Sequence, residues 1–437
     1  MGVAVFVSSL LLSLFRILLN AIDPYLSRIN VHLVAKPPSS VEELLATIRA
    51  ESGFLPSLAQ NSQWRERLQL ALDSVRTADD LTPFGRWILY GTLRMEINSL
   101  QCSETIAQKF PEVVIAPRPD RTNRPVFIFG LWRSGTTLLH YLLSLYPDAF
   151  SPSVSQVVFG GASPSDVRDA SSLDDLRHKI KMASKRHSIE TEAFLRAVLS
   201  LSYSVHPIDV DRPEECIEVL NRYLFYETLP LVLCDDFMDV VSQYEELSDR
   251  AYCLYKRDLH VIQSIFCPND RRRSHFVLKA PHHTPFSDVI LRHFPDACFV
   301  RMHRNPADVV ASFTSLLCRN NASFSRVDSL KLGRSMQRTV FRMTNELVRQ
   351  TPRMPESTID VRFDDFIRDP ISVCRKIAVE VGMEHTKAVD DKLTAFLIED
   401  KAKRARAGKH VYAIEDFGLD SAEIRRDSKE YCDMFSV

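Results

Sequence analysis

The sequence predicts an α/β fold: a central parallel sheet flanked by helices, with a further helical region on its N-terminal side. Three observations carry that prediction. Short runs rich in Val, Ile and Phe fall at residues 125–129, 276–278, 298–302 and 358–361, and each gives way to apolar residues at helical spacing. Strands that alternate with helices imply parallel pairing through crossover helices. The first run also leads through a glycine-bearing turn into Leu138, Leu139, Leu142 and Leu143, so strand, loop and helix follow one another directly.

Taken in order, residues 1–35 are an apolar N-terminal segment, 36–124 a helical region with a linker, and 125–437 the α/β domain. Residues 3–22 are mostly apolar but contain Arg16 and Asn20, and a central arginine costs about 2.5–3.5 kcal/mol on membrane insertion. A spanning helix is therefore marginal. A signal peptide fits poorly because no charged region precedes the apolar run and no small-x-small site precedes Asp23-Pro24, while Phe6 breaks the myristoylation pattern. The alternatives to spanning are a helix lying on a membrane or one docked on the domain, so the location is cytoplasmic or membrane-associated. Val41, Leu44, Leu45, Ile48 and then Leu68, Leu72, Val75 mark helices, and Thr82-Pro83 starts another through Leu100. Pro111, Pro117 and Pro119 punctuate a polar linker. Longer helices are expected at 173–201, 214–228, 243–267 and 328–350.

A chain of 437 residues accommodates one large catalytic core with helical additions. Its 55 lysines and arginines balance 56 aspartates and glutamates, so no global field draws it to nucleic acid. Nine cysteines without a CxxC pair argue against a disulfide framework or a zinc finger. Cys234, Cys253 and Cys267 are expected as buried, inert thiols.

Gly130-Leu131-Trp132-Arg133-Ser134-Gly135-Thr136-Thr137 keeps the G-x-x-x-x-G frame of a P-loop. Backbone N–H groups in such a loop converge on an anion, and the following helix adds the positive end of its dipole. Thr136 stands where the usual lysine would be, so a kinase or ATPase would lack the cation that reaches the outer phosphates. Arg133 brings charge from another point, with a fork that holds two oxygens. The domain is thus expected to be a P-loop nucleotide-binding fold. Further on, Phe299 to Arg304 ends a strand, Asn305 can cap the next helix, Pro306 suits its first turn, and Ser312 lies two turns in.

These motifs resemble the superfamily of sulfotransferases that use 3′-phosphoadenosine-5′-phosphosulfate (PAPS), most nearly its bacterial-type members and more distantly the tyrosylprotein sulfotransferases. The resemblance implies that Arg133, Ser134, Gly135, Thr136 and Thr137 bind the 5′-phosphosulfate. It implies that Arg304 and Ser312, in an R-N-P-x-D-x-x-x-S frame with Asp308, hold the 3′-phosphate. The product would be 3′-phosphoadenosine-5′-phosphate, with no metal required. Val277 to Thr284 resembles an L-K-S-P-x-H-T segment, and Val361 to Phe366 with Asp369-Pro370 an R-Y/F-E-D-L…D-P stretch. His410-Val411-Tyr412 and Phe417-Gly418-Leu419 resemble an H-x-Y…F-G-L pattern. Trp132 stands where the superfamily has Pro, and Ser153-Val154-Ser155-Gln156 where tyrosylprotein sulfotransferases carry a catalytic Glu.

Sulfuryl transfer needs a base for the acceptor proton and positive charge near the transferred oxygens. Lys279 is the leading cation, because ligands of open parallel sheets bind at the C-terminal ends of strands. Glu215 is the leading carboxylate, since Asp211 to Cys216 is similar to the subgroup's D-x-P-x-E stretch, and His282 and His283 are the other bases. Simpler roles compete: an acidic first helical turn for Glu214-Glu215, and solvated or capping histidines. The competing functions are a P-loop kinase or hydrolase and a catalytically silent, membrane-associated nucleotide-binding protein. Small-molecule, lipid, carbohydrate and peptide acceptors all remain open, with possible membrane contact through residues 3–22.

Overall fold

In the computed structural model the described residues are 13–17, 19–20, 38–114, 124–198, 211–223, 245–267, 275–407 and 412–437. Among them five strands, β1 (Val126–Gly130), β2 (Ala149–Phe150), β3 (His275–Lys279), β4 (Cys298–His303) and β5 (Ile359–Arg362), form one sheet in the order β2-β3-β1-β4-β5. Every pairing is parallel. β1, β3 and β4 are buried along their whole length, the reason they read as continuous apolar runs, whereas the edge strand β5 alternates. β2 has only two residues, too few to show a period, and escaped the sequence reading.

The N-terminal helices are α1 (Val41–Ser52), α2 (Ser62–Thr77) and α3 (Pro83–Lys109). Between the strands run α4 (Thr136–Leu143), α5 (Leu173–Val198), α6 (Ile217–Asn221), α7 (Glu245–Phe266), α8 (Pro306–Asn321) and α9 (Ser329–Gln350). Beyond β5 lie α10 (Phe363–Arg368), α11 (Pro370–Val381), α12 (Lys387–Ala407) and α13 (Lys429–Phe435). Side chains alternate across the sheet. Val126, Ile128, Val300 and Met302 pack with Leu139 and Leu142 of α4 and Ile377 of α11. Phe127, Phe129 and Phe299 face the other way, into a core shared with Leu259 of α7, Phe313 of α8 and Met336 of α9. Leu44, Leu68, Leu72, Leu93 and Ile97 belong to that same core, and each contributes about 1.5–3 kcal/mol by burial. The N-terminal helices are therefore continuous with the α/β body.

Two sequence expectations are corrected. The helix expected from 214 starts at Ile217, because the backbone N–H of Glu214 donates to Pro152 at 3.2 Å and that of Cys216 to Lys279 at 3.1 Å, which ties residues 214–216 to neighbouring strand ends and keeps Glu214 and Glu215 out of the helix. Residues 224–228 of that expectation, and Cys234, lie outside the described ones. Cys253 is exposed, not buried, since Tyr252 and Tyr255 of α7 point inward and leave position 253 on the solvent face, and Cys267, just past the end of α7, is only half-buried.

The described part of the N-terminal segment, within residues 13–20, is docked. Phe15 meets Trp87 edge-on at 5.3 Å, and Leu19 packs with Phe84 and Ile88. The polar interruptions are its anchors: Arg16 donates to Ser323 at 3.5 Å, and Asn20 accepts from the Phe84 N–H at 3.0 Å. Among the described residues no helix is long and apolar enough to cross a membrane. Residues 3–12, 18 and 21–22 lie outside them.

Gly130 ends β1 with φ 129°, and a Cβ there would stand 2.3 Å from the Met302 carbonyl oxygen. Gly130→Ala is expected to destabilise the fold by about 1–3 kcal/mol, a shift that urea denaturation would register as a lower midpoint at unchanged slope.

Candidate functional site

Strand order reverses around β1, so the C-terminal ends of β1, β3 and β4 open onto a crevice at the switch point of the sheet. Gly130, Lys279 and Arg304 all sit there: Gly130 pairs in register with Met302, and Ile128 with Lys279. Three of the sequence's signatures thus converge on one edge.

The P-loop is held open by backbone conformations that disfavour side chains. Gly135 has φ 91° and, more unusually, Arg133 has φ 61°. A left-handed arginine persists only where its surroundings over-determine it. Here Arg304 Nη1 donates to the Arg133 carbonyl at 2.6 Å, and the Ser134 hydroxyl donates to the Leu131 carbonyl at 2.5 Å. Gly135 precedes α4 without a side-chain cap, which leaves the first N–H groups of α4 directed at the loop. Thr136 is buried, Thr137 half-buried. A Cβ on Gly135 would meet Phe363 and Phe366 at 3.3 Å, so the Arg362-Phe363-Asp364-Asp365-Phe366 segment backs the loop from α10.

The second signature lies alongside. Asn305 caps α8 by accepting from the Ala307 N–H at 3.0 Å, which aims the helix so that the Ser312 hydroxyl accepts from Arg133 Nε at 3.2 Å. The Arg304 guanidinium lies over the Phe363 ring at 4.2 Å, and its Nε is buried with no hydrogen-bond partner. Among the described residues neither Arg133 nor Arg304 has a carboxylate partner. Burial, and then the charge of Arg304, hold the Arg133 pKa below its ordinary value. Two uncompensated guanidiniums, an orphaned donor and an uncapped helix start fit a multiply charged anion.

On the other side of the crevice Lys279 is fully buried and donates to Glu215 Oε1 at 2.6 Å, with Glu214 Oε1 3.9 Å away. Burial would lower its pKa, but Glu215 and Glu214 outweigh burial and raise it. His282 Nδ1 lies 4.0 Å from Glu215 Oε2. The His282 ring meets Trp132 edge-on at 5.2 Å, and Trp132 stacks on Phe313, next to Ser312, at 4.9 Å. Trp132 therefore bridges the two halves of the crevice. His283 points into the protein: its Nε2 meets Cys216 Sγ at 3.0 Å and its Nδ1 the Tyr252 hydroxyl at 2.7 Å. That relay pins the residue after Glu215 to α7. Arg222 and Asp258, both without exposure, add an ion pair at 2.8 Å, and Ser103 of α3 also bonds Asp258. No local pattern marks Cys216, Tyr252 or Asp258, because their partners are brought by other elements. Of the C-terminal pattern, His410 and Val411 lie outside the described residues, while Phe417 is buried with its carbonyl against Gly333.

The family model described as "Sulfotransferase family" matches residues 125–387. The chain belongs to the sulfotransferase family. Among curated proteins it is similar to the omega-hydroxy-beta-dihydromenaquinone-9 sulfotransferase Stf3 of Mycobacterium bovis and of Mycobacterium tuberculosis, 24% identical to each over 72% of this chain and 76% of theirs. Its fold is similar to the crystal structures of sulfotransferase STF9 from Mycobacterium avium (TM-score 0.70, 23% identity, 92% of this chain and 98% of that one) and STF1 from Mycobacterium tuberculosis (TM-score 0.65, 20% identity, 91% and 100%). The matched span begins at the strand that carries the P-loop and takes in both anion signatures and Lys279. Membership in this sulfotransferase family sets aside the nucleoside-triphosphate reading.

Burial holds His140, His282 and His283 neutral, with pKa values near 3 for each, helped by Lys279 at His140 and His282 and by His282 at His283. Unfolded, such histidines take up a proton below about pH 6.5, so each contributes stability at neutral pH that is lost as pH falls through 6.5 toward 3. Between about pH 6.5 and 5 this amounts to roughly 2 kcal/mol per histidine. Urea midpoints should fall over that interval, and less steeply in His140→Gln.

Proposed function

We propose that this chain transfers a sulfuryl group from PAPS to a hydroxyl of a small or lipid-like acceptor. The observation that carries the proposal is the pair of uncompensated, partly buried guanidiniums, Arg133 and Arg304, bracketing Ser312 within the same crevice as Lys279 and Glu215. A donor with a 5′-phosphosulfate and a 3′-phosphate needs two anion sites, and the P-loop with α4 supports the first. Arg133, Ser134, Gly135, Thr136 and Thr137 would hold the phosphosulfate, and Arg304 with Ser312 the 3′-phosphate. The bound donor supplies an activated S–O bond that breaks toward its 5′-phosphate as a bond to the acceptor oxygen forms.

The chain's own part is charge and proton management. Glu215 takes the acceptor proton, and Lys279, released from Glu215, stabilises negative charge on the leaving oxygen. Their 2.6 Å contact keeps the pair neutral until anionic groups compete for the lysine. His282, 4.0 Å from Glu215, is the alternative base by position, although its burial disfavours the protonated form. His283, with both ring nitrogens engaged, orients Cys216 and hence Glu215. The lipid-like acceptor class follows the relatives, whose name specifies a hydroxylated menaquinone.

Transfer from radiolabelled PAPS, with and without EDTA, followed by mass spectrometry of products formed from lipid extract, tests the activity and the acceptor class together. Absence of any sulfated product across lipid, phenolic and carbohydrate pools would overturn the proposal. Arg304→Ala is expected to weaken binding of 3′-phosphoadenosine-5′-phosphate by about 2–5 kcal/mol in calorimetry, and unchanged affinity would remove the arginine from the donor site.

For the reacting centre, Lys279→Ala should lower turnover more than it weakens nucleotide binding, because the charge it meets develops in the transition state. Glu215→Gln should cost about 10²–10⁴ in turnover at saturating substrate while nucleotide affinity holds or rises. Near-normal turnover in Glu215→Gln would transfer the base role to His282.

A further inference from the structure

Strand β4 holds two polar residues that a fully buried strand rarely carries, Arg301 and His303, at 1% and 0% exposure. One carboxylate satisfies both. Asp360 of β5 accepts from Arg301 Nε at 2.8 Å and Nη2 at 2.9 Å, and it meets His303 Nε2 at 2.9 Å. The other histidine nitrogen, Nδ1, meets the Tyr431 hydroxyl of α13 at 3.1 Å. Phe435, one turn further along α13, lies flat on the His303 ring, with centroids 3.7 Å apart and 10° between the planes, and also underlies the Arg301 guanidinium at 5.4 Å. α13 thus grips the last residue of the strand, immediately before Arg304, although 128 positions separate His303 from Tyr431.

We infer that Tyr431, backed by Phe435, is a positioning residue for recognition of the donor's 3′-phosphate: α13 clamps the end of β4 so that Arg304 leaves it aimed at the carbonyl of Arg133, the residue whose side chain meets Ser312. The inference rests on the assignment of Arg304 proposed above. Tyr431 carries no charge, and its hydroxyl bonds His303, the residue before Arg304, so its effect on an anion passes through the placement of Arg304. An arginine that leaves an anchored strand end spends more of its time with its fork aimed at the ligand. The clamp also explains why β4 tolerates Arg301 and His303: with Asp360 they build a rigid polar end to the strand, closed on one side by the Phe435 ring.

A purely structural role would weaken every nucleotide alike, whereas a clamp on Arg304 acts on nucleotides that bear a 3′-phosphate. Calorimetry of the full chain with 3′-phosphoadenosine-5′-phosphate and with AMP separates the two. Tyr431→Phe keeps the ring and removes only the hydroxyl, and it is expected to reduce the preference for the 3′-phosphorylated nucleotide about tenfold, with AMP affinity within about twofold of wild type. Phe435→Leu, which loses the stacking, should move the same ratio in the same direction. A wild-type chain that binds both nucleotides equally would overturn the assignment of Arg304 and the clamp with it. A wild-type chain with a clear preference that both variants retain in full overturns the clamp alone.

Discussion

The hydrogen bond from Arg304 to the Arg133 carbonyl joins two loops 171 residues apart in sequence, and most of the site's geometry depends on it. It stabilises Arg133 in a left-handed conformation, which sends the arginine side chain toward Ser312 and leaves the P-loop amides and the start of α4 on the crevice side. The bond is possible because β1 and β4 are neighbours in the sheet, with Gly130 opposite Met302 at their C-terminal ends. A side chain at position 130 would push those ends apart. Bringing two guanidiniums together away from any carboxylate is unfavourable by itself, and stability elsewhere in the large shared core sustains it. The arrangement becomes favourable when an anion arrives.

Opposite this positive half, Lys279 and Glu215 form a neutral one. Lys279 has no exposure, and a lysine in that position without a partner would lose its proton; the two glutamates keep it charged. The pair therefore holds a cation and a carboxylate in contact, each masking the other. Placing Glu215 there takes more than one local motif: the backbone of Cys216 docks on the end of β3, the Cys216–His283–Tyr252 relay fixes it to α7, and the Arg222–Asp258 pair ties the following turn to α7, whose Asp258 also bonds α3. The N-terminal helices thus take part in holding Glu215, through a shared core and through Ser103.

Much of this was legible in the chain. β1, β3, β4 and β5 appear as runs rich in apolar residues within a residue or so of their observed ends; the first three are buried along their length and so mostly apolar, whereas the edge strand β5 alternates. The P-loop frame, the Asn305-Pro306 start of α8 and the long amphipathic helices are local patterns, set by backbone conformation and capping chemistry. β2 was not legible, because two residues have no periodicity and form a strand only by pairing with β3. The non-helical course of Glu214 and Glu215 was not legible either: an acidic pair after proline reads as a helix start, and here hydrogen bonds from Glu214 to Pro152 and from Cys216 to Lys279 outcompete it.

Residue types at short spacing set the class of the site: a phosphate loop without its lysine, a second basic signature at a strand end, and a lysine closing a third strand. Local chemistry dictates such patterns, and they are legible along the chain. Which groups meet depends on the packing. It buried Lys279 on Glu215, turned His283 inward while leaving His282 beside Trp132 and Glu215, and brought Tyr431 and Phe435 under the end of the strand that leads into Arg304. Those contacts arise from parallel strand order and from helices packed across two cores, long-range constraints that leave no periodic trace along the chain.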